Sequence, residues 1–334
     1  MLVDLHLHST YSDGRYTPTE LVQVAVYRNI RVIALTDHDS WNGYEEAALE
    51  AERLNRRYAE LIDAYNSWEI ALSVIKTELA GKVKLAEAKS LTNTAFDVLT
   101  DNYSAIFAYS GIDNTTPLIK VLVGAEIGTQ YEDRAVHVLG YHIDRSCKAL
   151  ANKIAEMRHK REHRLQAILE KCHEQGMDIT IEACDPDARA VGRPHVAKAM
   201  VAKGYVKTVQ EAFDKYLHRG GSCYVAQPKL SPEEAVDLIH KAGGLAFLAH
   251  PSEIERTEVP EFLLSTIPFD GVEIWHPSTR MNSDINKWLE LAKKYNLLVC
   301  GGSDFHGIPD RYPSQLGVWQ VVHNNVATLI NYKK

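Results

Sequence analysis

The chain is poor in cysteine: Cys147, Cys172, Cys184, Cys223 and Cys300 are all it has among 334 residues, an odd set without a CxxC pair. That pattern suggests neither a disulfide framework nor a cysteine zinc site, and it suits a reducing compartment, so a cytoplasmic location is expected. Long apolar runs are missing as well. No stretch reaches the roughly 18 uninterrupted apolar residues of a membrane span, and the start, MLVDLHLHST, has no basic region leading into an apolar core. The expectation is a soluble protein without a membrane partner. Nor is there an excess of positive charge. Lys and Arg total 37 against 44 Asp and Glu, for a net charge of −7 and a sequence pI near 6.1, which argues against stable binding of duplex nucleic acid. With 45% hydrophobic and 24% charged residues, and no repeat or low-complexity tract, disorder is excluded and the chain has length for one large domain or a domain with an insert. What the sequence has in quantity is histidine, at 15 residues.

Short aliphatic runs alternate with amphipathic helical patterns, the mark of an α/β protein with a parallel sheet. Strands are expected at Leu2–His6, Val32–Thr36, Lys120–Ile127, Val136–Tyr141, Leu245–Ala249, Gly271–Ile274 and Leu298–Gly302. Such a series suggests a barrel more than an open sheet. Helix starts are announced by Thr17-Pro18-Thr19-Glu20 and Ser231-Pro232-Glu233-Glu234, where a hydroxyl N-cap precedes proline and acidic residues in the first turn. Two stretches interrupt the alternation. Residues about 56–117 read as further helix and then a polar tract ending in Asp113-Asn114-Thr115-Thr116-Pro117, without any histidine; this is an insertion. Its apolar residues, among them Trp68, Ile70, Leu72, Val74, Ile75 and Leu79, are too many for a solvated tail. It should pack as helices on the barrel or on a second subunit, so a homo-oligomer contact is one open role for it. Residues 149–226 carry a long helix and two shorter ones around a Gly/Pro-punctuated link, a small helical cap. Residues 1–148 and 227–334 would then form the barrel.

The histidines fall at strand ends. His6 and His8, two apart in Asp4-Leu5-His6-Leu7-His8-Ser9, point to one side of an extended segment and can share a metal. Asp13 follows in a Ser12-Asp13-Gly14 turn. Leu35-Thr36-Asp37-His38-Asp39 ends an apolar run in two carboxylates and an imidazole, with Asp39 or Ser40 free to serve as a helix cap. Glu126 is a charge inside an apolar strand, costly to bury unless it is paired or metal-bound. His137 and His142 lie on opposite faces of their strand, so at most one is a ligand. Leu245–Ala249 terminates in His250, and Ser303-Asp304-Phe305-His306 repeats the i, i+2 pairing. In α/β barrels that rim is where active sites are built. Three carboxylates and six imidazoles there could hold two or three divalent ions, with nitrogen and oxygen donors suiting Zn, Mn or Fe.

These motifs, in this order, resemble those of the polymerase and histidinol phosphatase superfamily of metal-dependent phosphoesterases: a DLHxHSxxSDG start, a TDHD strand end, a G-x-E strand, a single strand-borne His, an AHP and a late SDxH. The resemblance covers nearly all of the chain outside 56–117. It implies a distorted (β/α)7 barrel with an inserted small helical cap and a trinuclear centre. By motif, one metal would be held by His6, His8, Glu126 and Asp304, a second by Glu126, His137 and His250, and a third by Asp13, His38 and His306, with Glu126 bridging.

Within the superfamily, Gly192-Arg193-Pro194-His195 and the segments Gln210–Leu217 and Lys229–Ala235 look like the branch acting on small nucleotides, which includes AMP and 3′,5′-bisphosphate phosphatases and a 5′-to-3′ exoribonuclease. The implied reaction is in-line attack on phosphorus by a hydroxide bridging two metals. Arg193 would grip phosphate with its planar fork and His195 would protonate the leaving oxygen. His276, at a strand end, and Arg158 and Arg161, in a basic stretch of the cap helix that also carries Lys160 and Arg164, are further candidates for substrate contact. The expected partner is a small phosphorylated molecule, with short RNA, cyclic phosphates and histidinol phosphate as alternatives. A metal-binding regulatory domain is the non-enzymatic alternative, disfavoured by the complete ligand set.

Overall fold

The computed structural model describes residues 1–90, 116–184, 192–226, 229–279, 282–308, 311–319 and 321–333. Most of the polar tract expected to end in Asp113–Pro117 lies outside the described residues, as does Val191 ahead of the Gly192–His195 run.

Eight strands make one barrel-shaped, nearly closed sheet: β1 (Leu2–Leu7), β2 (Ile30–Leu35), β3 (Lys120–Tyr131), β4 (Arg134–Tyr141), β5 (Leu245–Leu248), β6 (Gly271–Trp275), β7 (Leu298–Gly301) and the short β8 (Val321–Val322), in the order β7-β6-β5-β4-β3-β2-β1-β8. The strands β1 to β3 are parallel, as are β5 to β7, but β4 runs antiparallel to both β3 and β5. The sheet is thus mixed, where a parallel sheet was expected. The link between β3 and β4 is Glu132-Asp133, with Glu132 at φ 51, and two residues can join only antiparallel neighbours. The eighth strand, which no sequence pattern announced, pairs antiparallel with β1.

The sheet closes where the loop after β7 meets β1. His8 N–H donates to the Phe305 carbonyl at 3.1 Å, and Ser303 N–H donates to Asp4 Oδ1 at 2.8 Å. Glycine is required at 302, because a Cβ there would lie 2.3 Å from the His6 nitrogen. Inside the barrel Leu5, Ala34, Leu139, Tyr141, Phe247 and Cys300 are fully or almost fully buried. Burial, partly offset by hydrogen bonds with Ser303 and His6, pushes the Asp4 carboxyl up to about 7.

Helices cover both outer faces. The helix Pro18–Tyr27 has its expected capping box, with Glu20 N–H donating to Thr17 Oγ1 and Thr17 N–H to Glu20 Oε2. Ser231 and Glu234 repeat the motif at Pro232–Lys241. The helices Tyr44–Tyr65 and Trp68–Ser90 pack against Pro18–Tyr27. Leu72, Ile75, Leu79 and Val83 of the second are buried, each such side chain contributing roughly 1.5–3 kcal/mol, whereas Ile70 faces solvent. A separate apolar core gathers Leu165, Ile168, Leu169, Val196, Met200, Leu217 and Cys223. The 27-residue helix Lys148–Glu174 runs into it from the barrel, where Leu150 and Ile154 are buried with β4 and Pro232–Lys241 residues.

Candidate metal centre

Strands β1 to β7 bring their chemistry to one rim. Glu126 sits just beyond the last β2–β3 pair, bridged to His38, with Asp39 N–H donating to the Glu126 carbonyl at 2.8 Å. Reversal of β4 changes the origin of one donor. His137 lies opposite Gly128 in the N-terminal half of its strand, and reaches the rim because β4 descends from the hairpin. His142 leaves the site altogether: its Nε2 lies 2.8 Å from the Leu329 carbonyl. His250 and Asp304 follow their strands at φ 25 and φ 50, conformations non-glycine residues adopt at a cost and which concentrate at functional sites.

The buried Glu126 carboxylate is the hub. Oε1 lies 2.8 Å from His137 Nδ1 and 3.0 Å from His250 Nε2. Oε2 lies 2.9 Å from His38 Nδ1, 3.3 Å from His8 Nε2 and 3.5 Å from His6 Nε2. Asp304 Oδ1 approaches His8 Nε2 at 3.1 Å and His6 Nε2 at 3.5 Å. Asp13 Oδ1 is 3.3 Å from His306 Nε2 and 3.6 Å from His8 Nδ1. Four sets of donors lie close enough to share an ion: His8, Asp13, His38 and His306; His6, His8 and Glu126; His38, Glu126 and His137; and His6, His276 and Asp304. The last includes His276, which sequence reasoning gave to the substrate. His6 Nε2, His8 Nε2, Asp13 Oδ1, Glu126 Oε2, His250 Nδ1 and His306 Nε2 are all buried without a hydrogen bond of normal geometry. Orphaned lone pairs at that density are costly unless something fills the space between them, and this nitrogen and oxygen set fits divalent ions.

Without ions the charges hold one another. Burial would raise Glu126, but His137, His38 and His6 outweigh it and keep the carboxyl well below its usual range. Asp304 and Asp13 are depressed against burial in the same way. Burial opposes charge on His8 and His250, yet their carboxylate neighbours lift them to about 10 and about 9. For His137 burial prevails and lowers it.

Two carboxylates position the donors. Glu273, fully buried, lies 2.9 Å from His6 Nδ1 through Oε1, while its Oε2 accepts the His250 N–H at 2.8 Å. Asp37 accepts from Ser9 N–H at 2.7 Å, Ser9 Oγ at 2.7 Å and Ser12 Oγ at 2.6 Å, pinning the loop that carries Asp13. Sequence reasoning missed both, although Glu273 is a charge in an apolar strand like Glu126.

Beside the rim, a small cavity of ≈ 10 Å³ is lined by Arg161, Arg164, Leu165, Ile168, Gly192 and Arg193. Arg161 pairs with buried Asp39, next to His38. Arg193 donates to the Leu217 carbonyl at 3.0 Å, with the rings of Phe213 and Tyr224 each 5.7 Å from its guanidinium carbon. Desolvation, with Arg161, Arg164 and Arg193, holds the Lys229 ammonium below its ordinary value. Arg164, which belongs to the basic stretch read from the sequence, lines this cavity, and Lys229 joins the same basic group. His195 Nδ1 accepts the Gly192 N–H at 3.1 Å, a helix-cap contact. Arg158 is exposed and not part of the cavity lining.

Residues 4–224 match the PHP domain family. The chain belongs to that family. Among curated PHP relatives, it is similar to the 3′,5′-nucleoside bisphosphate phosphatase of Chromobacterium violaceum, with 29% identity over 91% of this chain and 87% of the relative. A 5′-3′ exoribonuclease of Haemophilus influenzae is 26% identical over 91% of this chain and 89% of its own. A solved structure from Chromobacterium violaceum, described as an amidohydrolase with bound sulfate and no metal, has TM-score 0.65 and 25% identity, covering 94% of this chain and 89% of that one. The PHP barrel expected from the motifs is thus the observed fold. No helix among the described residues is long and apolar enough to cross a membrane.

Proposed function

We propose that this PHP rim hydrolyses phosphate monoesters of small nucleotides, of the AMP or nucleoside 3′,5′-bisphosphate type. The observation that carries the reading is the convergence of buried, unbonded imidazole and carboxylate atoms around Glu126. His6, His8, Asp13, His38, Glu126, His137, His250, Asp304 and His306 would hold two to three divalent ions, Mn, Zn or Fe, with Glu126 shared between them. Such ions supply Lewis acidity toward the phosphoryl oxygens and a nucleophile at neutral pH. The protein keeps the carboxylates ionised and the inward nitrogens aimed, through Glu273 and Asp37. Residues 149–226 act as the substrate domain, and the guanidiniums beside the rim bind anionic groups of the substrate. Arg193, held near the Phe213 and Tyr224 rings, serves as a preorganised phosphate contact, and Arg161 orients the cavity wall through Asp39. His195 faces the leaving group once substrate is bound.

A second reading, exonucleolytic trimming of short RNA in the cytoplasm, is favoured by the Haemophilus influenzae relative. One panel separates the two. Metal-replete protein is assayed for phosphate release from AMP, 3′,5′-bisphosphates, cyclic phosphates and histidinol phosphate, and for shortening of a labelled RNA. Release from the mononucleotides is expected, with loss on chelation and in Glu126→Gln. Full activity in metal-free protein, or no release from any ester, would end the proposal.

A further inference from the structure

The rim imidazoles do not all present the same face. His6 Nδ1 lies 2.9 Å from a carboxylate oxygen of Glu273, and His306 Nδ1 lies 2.7 Å from the Asp304 carbonyl. Both partners only accept, so each Nδ1 carries the proton and each Nε2 turns a lone pair inward. His276 is built the opposite way. Its Nδ1 accepts the backbone N–H of Ser278 at 3.1 Å and lies 2.7 Å from Ser278 Oγ. A backbone N–H can only donate, so in the neutral ring Nδ1 holds the lone pair and the proton sits on Nε2. Glu253 does not reverse this, since its carboxylate is 4.0 Å from Nδ1. The Nε2 end is buried without a hydrogen-bond partner, 3.7 Å from Asp304 Oδ2, and the residue is 2% exposed. The ring centroid lies 5.2 Å from that of His250 and 6.0 Å from that of His6, so this N–H points among the donors of the metal centre.

A cation needs a lone pair; an oxyanion needs a proton donor. We infer that His276, despite lying close enough to His6 and Asp304 to share an ion with them, is no metal ligand and instead donates its Nε2–H to a phosphoryl oxygen of the substrate, with Ser278 fixing the tautomer. This rests on the phosphoesterase reading and specifies one of its contacts. A donor held this way is already desolvated and aimed before substrate arrives, so it serves binding and charge stabilisation together.

The test uses the Mn2+-loaded full chain as wild type, His276→Leu, His276→Ala and His276→Gln. Gln keeps an N–H near the Nε2 position. Three readouts are taken: Mn2+ stoichiometry after gel filtration, inorganic phosphate binding by calorimetry, and kcat/KM on the best ester. The expected result is unchanged Mn2+ stoichiometry in both variants. Phosphate affinity and kcat/KM should fall roughly 10- to 100-fold in His276→Leu, the scale of one hydrogen bond to a charged acceptor, with substantial recovery in His276→Gln. Loss of one bound ion in either variant that keeps its native circular dichroism would make His276 a ligand and overturn the inference. So would wild-type phosphate affinity and kcat/KM in His276→Leu. If His276→Leu does not fold, failure of His276→Gln to bind phosphate better than His276→Ala decides against the donor role. A wild-type protein that binds Mn2+ but neither binds phosphate nor releases it would overturn the phosphoesterase reading with it, an outcome distinct from a silent variant of an active enzyme.

Discussion

Replacing Glu273 by Gln tests how the metal centre is aimed. The carboxylate receives the His6 ring through one oxygen and the His250 backbone N–H through the other, at 2.9 and 2.8 Å, and it is fully buried. An amide in its place presents an NH2 that favours the opposite His6 tautomer, with the proton on Nε2 and no lone pair for an ion. Loss of an outer carboxylate of this kind costs roughly 10–100-fold in metal affinity, or about 1.4–2.7 kcal/mol. The assay is competition with a graded chelator, following retained metal. Burial would raise the Glu273 carboxyl, but His6 and His276 outweigh it and hold it below its ordinary 4.5. A depressed carboxylate contributes stability that is present above the unfolded pKa and lost as pH falls through the folded one. Metal-free wild type should therefore weaken below about pH 4.5 on this account, and Glu273→Gln should lack that part of the acid limb. A variant with the wild-type chelator midpoint and a native circular dichroism spectrum would refute the reasoning.

Other outcomes follow from the same geometry. With His8 at about 10 and His250 at about 9, both rings are protonated in metal-free protein at pH 8, so metal loading should release protons from both. Calorimetry in buffers of different ionisation enthalpy reads this directly, and a buffer-independent heat would contradict it. Because these pKa values are raised, the stability they contribute is complete below the unfolded value of 6.5 and fades as pH climbs through 9 to 10; melting of the metal-free form should drop there. Asp37→Asn should cost about 1–3 kcal/mol by weakening the anchors of Ser9 and Ser12, and should weaken metal retention through Asp13, as urea melts and metal analysis would register. Arg161→Leu should lower stability by roughly 3–5 kcal/mol in the same melts, because it leaves Asp39 buried without its cation. Identical urea midpoints for Arg161→Leu and wild type would show that the pair does not form in solution.

The parts of this site that could be read in advance share one signature, an apolar run that stops in imidazole or carboxylate, as at His6, His38, His250 and Asp304. Strand direction has no such signature. Alternation is the same read upward or downward, so the reversal of β4 became visible only through the brevity of Glu132-Asp133. Glu273 carries the same signal as Glu126, a charge inside the apolar strand Gly271–Trp275. The basic stretch of the cap helix was ambiguous for a different reason. Helical spacing puts Arg158, Arg161 and Arg164 within one broad face, and only the place where the helix leaves the barrel decides that the last two line the cavity while Arg158 stays in solvent.

The helix Lys148–Glu174 ties two apolar cores to one screw. Leu150 and Ile154 are buried at the barrel end, Leu165, Ile168, Leu169 and Cys172 in the other core, and residues 155–164 between them are exposed or half-buried. Over its 27 residues, about 40 Å, every residue advances the azimuth by about 100°. A single inserted or deleted residue in the exposed span would turn the second core, with Arg164 and everything that packs on it, by that angle relative to the rim, while seven residues would return it to within about 20°. The span therefore works as a vernier. Length changes in this span are tolerated only in near-integral turns, because any other change swings Arg164 and its core away from the rim.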